Sequence, residues 1–165
     1  MLGVWLLPEK ETLIRLSRVI DYNQYQLKRP SYIPHMTLLS GGTKLRDDIR
    51  KGFQTLELPS VISLPVKDKV KNAVSFFMAF YLQLDFSAAL RELFARVKQF
   101  APQSSYRLQP HISLAYGVDQ NAFDRLTVFE LDEVTFDSIA LVNCPEGQSN
   151  QAILSWEVLE MQSLR

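Results

Sequence analysis

Two short segments of this chain share the pattern Pro-His-apolar-Ser/Thr-Leu, and each holds one of the chain's two histidines. The first is Pro34-His35-Met36-Thr37-Leu38 and the second is Pro110-His111-Ile112-Ser113-Leu114. Because alternate residues of a strand face the same side, each segment presents an imidazole beside a hydroxyl. An imidazole can exchange a proton near neutral pH, and a hydroxyl can stabilise an oxyanion. We predict that the two copies build one acid–base site.

The repetition is what favours a catalytic role for these histidines. A single copy would indicate no more than a hydrogen-bonded structural histidine. Two copies that use both histidines of the chain favour a shared site instead. Two histidines and the remote Cys144 fall short of the three protein ligands of a catalytic zinc site, and no carboxylate adjoins either copy. We therefore expect no metal ion and no other cofactor.

Length and composition predict a soluble globular protein. The 165 residues predict one compact domain, residues 1–165, or two small lobes with a shared core. A formal net charge of zero argues against an obligate nucleic-acid coat protein. Residues 1–71 hold 12 lysines and arginines against 7 acidic residues, while residues 72–165 hold 6 against 11. This asymmetry indicates either an unevenly charged surface or a first half that offers positive potential to an anion.

The single cysteine and the N-terminal segment bear on the cellular compartment of the protein. Cys144 has no partner for an intrachain disulfide, which suits a reducing compartment, and we interpret it as incidental. The apolar segment Met1–Leu7 lacks a basic leader and is too short for a signal-peptide core or a membrane span. We predict a cytoplasmic monomer with no membrane partner.

Periodicity and turn residues predict the same order of elements twice: strand, helix, strand, helix and two strands. The predicted strands are residues 3–7, the first motif segment, 60–64, 67–71, 76–84, the second motif segment, 131–142 and 152–160. The predicted helices are residues 8 to about 25, 45–56, 85–100 and 119–126. The fold class is α+β. We predict a pseudo-duplicated, two-lobed fold of antiparallel sheets with the helices outside and the site in the cleft between the lobes.

Four details of the predicted helices and strands rest on particular residues. Pro8 is predicted to open the first helix, and Asp85 to cap the third. The run 76–84 is predicted to be a strand buried on both faces, with its aromatic residues in the core rather than stacked on a base. The apolar parity of residues 131–142 shifts near Asp137-Ser138, which predicts a β-bulge.

The paired motifs resemble those of the two-histidine (2H) phosphoesterase superfamily. Within it, the chain is similar to the plant and yeast cyclic phosphodiesterases through its opening Val4–Pro8, its Phe76-Phe77 pair and the segment His111–Gly117. The resemblance covers most of the chain and agrees with the two lobes predicted above. It implies an enzyme that opens cyclic phosphates on ribose, including ADP-ribose 1″,2″-cyclic phosphate and nucleoside 2′,3′-cyclic phosphates, and a role in RNA or tRNA metabolism.

The resemblance also implies roles for five residues. His35 and His111 would be the acid–base pair, and Thr37 and Ser113 would hold the phosphate oxygens. Tyr116 matches a tyrosine of that site, and it must come from the end of its strand because its parity differs from that of His111. The chemistry requires these groups, because opening a cyclic phosphodiester needs a base for water, an acid for the leaving oxygen and hydrogen-bond donors to the non-bridging oxygens, where negative charge gathers.

Two rival functions remain open at this stage. The first is processing of RNA ends with a 2′,3′-cyclic phosphate, or 2′–5′ RNA ligase-like chemistry, with RNA 3′ ends as partners. That function favours an extended basic surface, for which the chain offers Arg46, Arg50, Lys51, Lys67, Lys69 and Lys71. The second rival is a nucleotide-binding module without catalysis, for which two intact histidines would be unnecessary.

Overall fold

Seven antiparallel strands form one continuous sheet in the computed structural model, which describes residues 1–165. The strands are β1 Leu2–Pro8, β2 Met36–Gly41, β3 Ile62–Lys71, β4 Phe80–Leu84, β5 His111–Ala115, β6 Glu133–Asn143 and β7 Glu157–Ser163. Their order is β2-β1-β6-β3-β4-β5, and β7 pairs with β6. The helices are α1 Lys10–Gln26, α2 Arg46–Gln54, α3 Ala88–Lys98 and α4 Asn150–Leu154, with 3₁₀ turns at Thr43–Leu45 and Gln120–Arg125.

The long strand β3 joins the two parts of the sheet. Residues 62–65 pair with β6, and residues 66–71 pair with β4. The two strands predicted at 60–64 and 67–71 are therefore one strand. Pro65 is tolerated in its middle because it lies where the strand changes partner, so its missing N–H interrupts no continuous ladder.

The motif strands β2 and β5 lie at the two ends of this order, and they contact each other. The long helix of each half packs on the motif strand of the other half: α1 against β5, and α3 against β2. The residues that alternate with the motif histidines, Met36 and Ile112, are fully buried in the main hydrophobic core, as the strand parity predicts. The predicted α+β fold with antiparallel pairing is confirmed, whereas the single two-lobed domain over 1–165 stays a prediction.

Two buried polar residues of α1 tie this helix to the second motif. The side-chain amide of Asn23, fully buried, donates to the carbonyl oxygens of Leu114 (3.2 Å) and Thr127 (2.9 Å), and its oxygen accepts from the Thr127 N–H (2.8 Å). The Gln24 side chain accepts from the backbone N–H of Tyr116 at 3.3 Å. Because buried polar groups need partners, these bonds specify how α1 lies against β5.

The bounds of the first and third helices differ from the prediction. Pro8 is the last residue of β1, and α1 begins at Lys10. Asp85 does not cap α3: the Ser87 hydroxyl accepts from the Leu90 N–H at 3.0 Å, and the helix begins at Ala88. The helix cap is therefore the serine two residues after the predicted aspartate, and Phe86 lies outside the helix.

Two predicted strands are also corrected, while the predicted bulge is confirmed. Strand β4 covers only Phe80–Leu84 and is buried on one face, so residues 76–79 belong to a loop. The segment Asn150–Leu154 is helical because the Ser149 hydroxyl caps it, and the closing strand starts at Glu157. Asp137 is the extra residue between the pairs Leu7–Ser138 and Pro8–Phe136. None of the helices combines the length and apolar composition needed to span a bilayer.

Candidate active site

The five residues predicted for the site line one cavity of about 240 Å³. They are His35, Thr37, His111, Ser113 and Tyr116. His111 is the first residue of β5, while His35 lies one residue ahead of β2. Tyr116 lies directly after the last residue of β5, at the position that its parity requires. The antiparallel sheet thus brings together two segments that are far apart in the sequence.

Each imidazole is held by the same kind of local hydrogen bond, to the carbonyl oxygen of the residue two positions before it. Nδ1 of His35 lies 2.7 Å from the carbonyl oxygen of Ile33, and Nδ1 of His111 lies 2.7 Å from that of Gln109. A carbonyl only accepts, so each Nδ1 is the protonated nitrogen and donates. Each Nε2 has no partner within the protein and is free for a proton transfer. The proline between each histidine and its acceptor has no N–H that would compete for the same oxygen.

Burial makes both histidines weaker bases than usual. It lowers the pKa of His35 to about 4, with a further decrease from the nearby His111 and a partial offset from the bond to Ile33. Burial also lowers the pKa of His111, against the opposing effect of the bond to Gln109. Both rings are therefore neutral at pH 7 in the free protein. A bound phosphate anion would raise both pKa values, because an adjacent negative charge favours the imidazolium.

Trp5 covers one face of His35 and was missed by the sequence analysis. The two rings are stacked with centroids 3.5 Å apart and planes inclined by 9°. Trp156 approaches His35 edge-on, with centroids 6.1 Å apart. These contacts fix the plane of the imidazole and keep water from its faces, which accounts for the dominant effect of burial on the pKa of His35.

The two hydroxyls predicted to hold phosphate are not equivalent. Ser113 Oγ donates to the carbonyl oxygen of Phe77 at 2.6 Å, so its proton is already engaged. The hydroxyl of Thr37 has no hydrogen-bond partner in the protein, while its carbonyl oxygen accepts from the Tyr106 phenol at 2.8 Å. Thr37 is therefore free to donate to an anion, and Ser113 must exchange the Phe77 carbonyl for a phosphate oxygen before it can do so.

This difference predicts distinct effects of two substitutions. Thr37→Val and Ser113→Ala should each lower kcat/KM by about 10- to 100-fold, because a hydrogen bond to a charged group contributes about 1.5–3 kcal/mol. Only Ser113→Ala should also lower the free energy of unfolding, by about 1 kcal/mol, because it leaves the Phe77 carbonyl without its partner. Steady-state kinetics and urea unfolding of both variants test this. Equal unfolding midpoints for the two variants would contradict the asymmetry.

Tyr116 lies among aromatic side chains that form one wall of the cavity. Its ring stacks on that of Tyr32 with centroids 3.9 Å apart. It also contacts the rings of Phe76, Phe77 and Trp156. Burial raises the pKa of the Tyr116 phenol, as does the Cys144 thiol, while the Ser113 hydroxyl opposes the change. The phenol therefore stays protonated and able to donate. Aromatic and other apolar side chains make up half of the cavity lining, so the site is less polar than its two motifs indicate.

The loop between β3 and β4 supplies part of this wall. Phe77 lines the cavity, and Phe76 accepts the backbone N–H of Gly117 on its carbonyl oxygen at 2.8 Å. Gly117 has φ +59°, and a Cβ there would come within 2.6 Å of the Phe76 ring. The first part of the run 76–84, which was predicted to be a buried strand, thus belongs to the site, while Phe80–Leu84 form β4. The run has no alternation that could have separated the two cases, since apolar residues around a cavity resemble those of a core.

Arg107 is the one residue with a charged side chain in the cavity lining, and its guanidinium makes no ion pair. It comes from the second half of the chain, although the first half holds the excess of positive charge. None of the six basic residues proposed for RNA lines the cavity. Lys67 and Lys69 instead pair with Asp85 (3.8 Å) and Glu130 (2.6 Å). The cavity itself contains no carboxylate, which favours an anionic ligand.

Cys144 lines the same cavity and is not as remote as the sequence indicated. Burial raises the pKa of its thiol to about 12, so the thiol is protonated and a poor nucleophile at neutral pH. No cluster of three or more His, Cys, Asp or Glu residues is placed to hold a metal ion. The absence of a metal requirement stays a prediction about the reaction.

Comparison with known proteins supports the resemblance inferred from the motifs. No family model matches the chain. The cyclic phosphodiesterase of Arabidopsis thaliana is 22% identical over 170 residues, which cover 98% of this chain and 94% of that protein. The predicted resemblance to the cyclic phosphodiesterases is thereby confirmed along nearly the whole length of the chain.

Solved structures share the fold at low sequence identity. LigT of E. coli, crystallised with 3′-AMP, is 13% identical, with a TM-score of 0.60 over 99% of this chain and 97% of that chain. The protein TT0787 of Thermus thermophilus is 17% identical, with a TM-score of 0.59 over 99% and 97% of the two chains. These similarities agree with the α+β fold described above.

Proposed function

We propose that this chain is a cyclic phosphodiesterase, a phosphoric diester hydrolase that opens ribose cyclic phosphates without a metal ion. One observation supports this most directly: two imidazoles in one cavity, each with Nδ1 bonded to a carbonyl and Nε2 free. A site that only binds phosphate has no use for two free proton-transfer nitrogens. The curated relative from Arabidopsis thaliana bears the same activity in its name. The substrates we propose are ADP-ribose 1″,2″-cyclic phosphate and nucleoside 2′,3′-cyclic phosphates.

The proposed reaction is a displacement at phosphorus with one proton moved at each end. Nε2 of one histidine removes a proton from water as its oxygen forms a bond to phosphorus. The bond from phosphorus to one ribose oxygen breaks, and that oxygen takes a proton from Nε2 of the other histidine. The product is a ribose phosphate monoester, and the histidines return to their starting states by proton exchange with solvent.

The environment of the two rings favours His35 as the base. Burial lowers the pKa of His35 to about 4, and Trp5 covers one face of its ring, so this imidazole is neutral and able to accept a proton at pH 7. We assign the acid to His111, which gains its proton when the phosphate anion enters the cavity. Thr37, Ser113 and Tyr116 would then donate to the non-bridging oxygens, whose negative charge increases in the transition state.

The direct test is turnover. Purified protein with adenosine 2′,3′-cyclic phosphate and with ADP-ribose 1″,2″-cyclic phosphate should yield the corresponding monoesters, and added EDTA should leave the rate unchanged. Binding of these compounds without turnover would favour the alternative of a nucleotide-binding module. Loss of activity in EDTA, with recovery on adding a divalent ion, would show that the proposed mechanism is wrong.

The low pKa of His35 predicts the acidic limb of the pH profile. A base must be deprotonated, so kcat/KM should fall only as pH decreases toward about 4, well below the ordinary histidine value of 6.5. Trp5→Leu admits water to the ring and should move this limb toward pH 6.5. Trp5→Phe, the matched control, keeps an aromatic ring there and should move it less. A limb near pH 6.5 in the unsubstituted protein would contradict the assignment of His35 as base.

A further inference from the structure

The first motif strand contains a β-bulge directly after its hydroxyl residue. Thr37 of β2 pairs with Trp5 of β1. The next pair along the two strands joins Leu39 to Val4, so Leu38 is an extra residue of β2. Both Leu38 and Leu39 are fully buried, although neighbouring residues of a regular strand face opposite sides. The bulge therefore reverses which residues of β2 face the cavity beyond it.

The second motif strand contains a bulge at the same place. Ser113 of β5 pairs with Tyr81 of β4. The next pair joins Ala115 to Phe80, so Leu114 is the extra residue of β5. Leu114 and Ala115 are both fully buried, as are the two leucines at the corresponding places of β2. The two copies of the motif thus share a backbone irregularity as well as their residue types.

The bulges bring a third residue of each motif to the catalytic cavity, the fifth residue after the histidine. These residues are Ser40 and Tyr116. In a regular strand the fifth residue faces away from the histidine, because the offset is odd. With one extra residue in between, both line the cavity, and so does Gly3, which pairs with Ser40. Tyr116 has an expected role through the resemblance, whereas Ser40 has none so far.

Ser40 lies on the side of the cavity that the second motif supplies. Its carbonyl oxygen accepts from the Ser104 hydroxyl at 2.7 Å, and that of Thr37 accepts from the Tyr106 phenol at 2.8 Å. Residues 104–110 lead directly into His111, and three of them line the cavity. His111 is the residue that we assign as the acid for the leaving ribose oxygen. The nucleoside therefore extends toward this side of the cavity.

The length of its side chain limits what the Ser40 hydroxyl can contact. Three residues of strand separate Ser40 from Thr37, which is up to about 10 Å. A serine hydroxyl extends only a short way from its backbone, so it cannot reach a phosphate held beside Thr37 and the histidines. The longer side chain of Tyr116 can do so from the corresponding position. The Ser40 hydroxyl thus faces the part of a substrate that extends beyond the phosphate.

The Ser40 hydroxyl is also available to a ligand. Its hydrogen bond within the protein goes to the thioether sulfur of Met1, at 3.0 Å. A thioether is a weak acceptor, so an oxygen or nitrogen of a ligand can replace it. Ser40 is half-buried, and a hydroxyl can both donate and accept. It can therefore pair with either kind of polar group on a nucleoside.

We propose that Ser40 is a specificity-determining residue whose hydroxyl forms a hydrogen bond with the nucleoside part of the substrate. The partner is a polar atom of the ribose or of the base. This inference rests on the proposed function and adds a third site residue to the first motif. The two bulges then serve different ends, because Tyr116 donates to the phosphate and Ser40 binds the group that the phosphate carries.

Kinetics on substrates with and without a nucleoside test this assignment. Ethylene phosphate has the same five-membered cyclic phosphodiester but no ribose and no base. Ser40→Ala should lower kcat/KM for at least one of adenosine and uridine 2′,3′-cyclic phosphate by about 3- to 10-fold, the effect of one neutral hydrogen bond. It should leave kcat/KM for ethylene phosphate unchanged. Equal losses for the two nucleotides place the bond on the ribose, and a loss for one of them places it on the base.

Control variants separate a lost contact from a disturbed strand. Ser17→Ala, on α1 and outside the cavity, should leave all three kcat/KM values unchanged. Ser40→Thr keeps the hydroxyl, and Ser40→Val has nearly the same shape without it. The threonine variant should therefore exceed the valine variant on the nucleotides and equal it on ethylene phosphate. An equal loss on all substrates after Ser40→Ala, or no loss on any, would overturn the inference.

A binding measurement distinguishes this inference from the proposed function. Calorimetry compares adenosine 2′-phosphate with inorganic phosphate on the unsubstituted protein and on Ser40→Ala, and needs no turnover. Weaker binding of the nucleotide alone by Ser40→Ala supports the contact even if no cyclic phosphate is hydrolysed. Equal nucleotide affinities of the two proteins, together with normal hydrolysis of the nucleoside cyclic phosphates by both, would overturn the role of Ser40 and leave the proposed function intact.

Discussion

Alanine in place of either His35 or His111 should lower kcat by about 10²–10⁴-fold, the range expected for a positioned proton-transfer group. The reason is geometric: each ring is held by its Nδ1 hydrogen bond, so only its Nε2 is free to exchange a proton with water or with the ribose oxygen. No other histidine in the chain can take over, because the chain has only these two. Steady-state and single-turnover kinetics on a nucleoside 2′,3′-cyclic phosphate measure the loss.

The double variant makes this test sharper. If the two rings act in one displacement, removing both should cost much less than the product of the single losses, because groups that act as a unit are not additive. Tyr22→Ala, which removes a half-exposed ring outside the cavity, is the control for truncation. A single variant that retains most of the unsubstituted kcat would rule out that histidine as a proton-transfer group.

Asn23→Ala should lower the free energy of unfolding by about 3 kcal/mol. The side chain is fully buried and satisfies three backbone groups, the carbonyls of Leu114 and Thr127 and the N–H of Thr127. Alanine leaves these groups without their side-chain partner in a place that water reaches poorly, and each such buried group costs about 1–3 kcal/mol. Urea unfolding, with the midpoint compared at constant m-value, provides the measurement.

A residue on the opposite face of the same helix serves as the matched control. Tyr25 is 78% exposed, and its replacement by alanine should change the free energy of unfolding by less than about 0.5 kcal/mol. A loss below about 1 kcal/mol for Asn23→Ala would mean that the bonds to β5 contribute little. In that case the packing of α1, not its buried amide, would hold the second motif in place.

The candidate site was predictable from the sequence because its signal is local. A strand alternates its faces whatever the rest of the chain does, so the pairing of His35 with Thr37 and of His111 with Ser113 follows from their spacing. The same alternation placed Met36 and Ile112 in the core, where both are fully buried. The α+β class followed from the order of periodic segments, which depends little on the positions of element ends.

The element ends were less predictable because neighbouring residues compete for the same role. Asp85 and Ser87 are both suitable caps, and only the packing of α3 decides between them. The apolar run 76–84 has the composition of a buried strand, yet Phe77 and Met78 line a cavity and only Phe80–Leu84 form a strand. An apolar composition indicates that side chains are buried, but it does not indicate whether they lie in the hydrophobic core or in the lining of a cavity.

What only the tertiary structure decided is the environment of each catalytic group. The stacking of Trp5 on His35, the engagement of Ser113 by the Phe77 carbonyl and the position of Arg107 all join distant parts of the chain. Desolvation and donor availability depend on every atom within a few ångströms, whichever part of the sequence supplies it. The residue types and their spacing therefore determine which groups can exchange protons or donate hydrogen bonds, and the fold determines their pKa values and which of them are free to act.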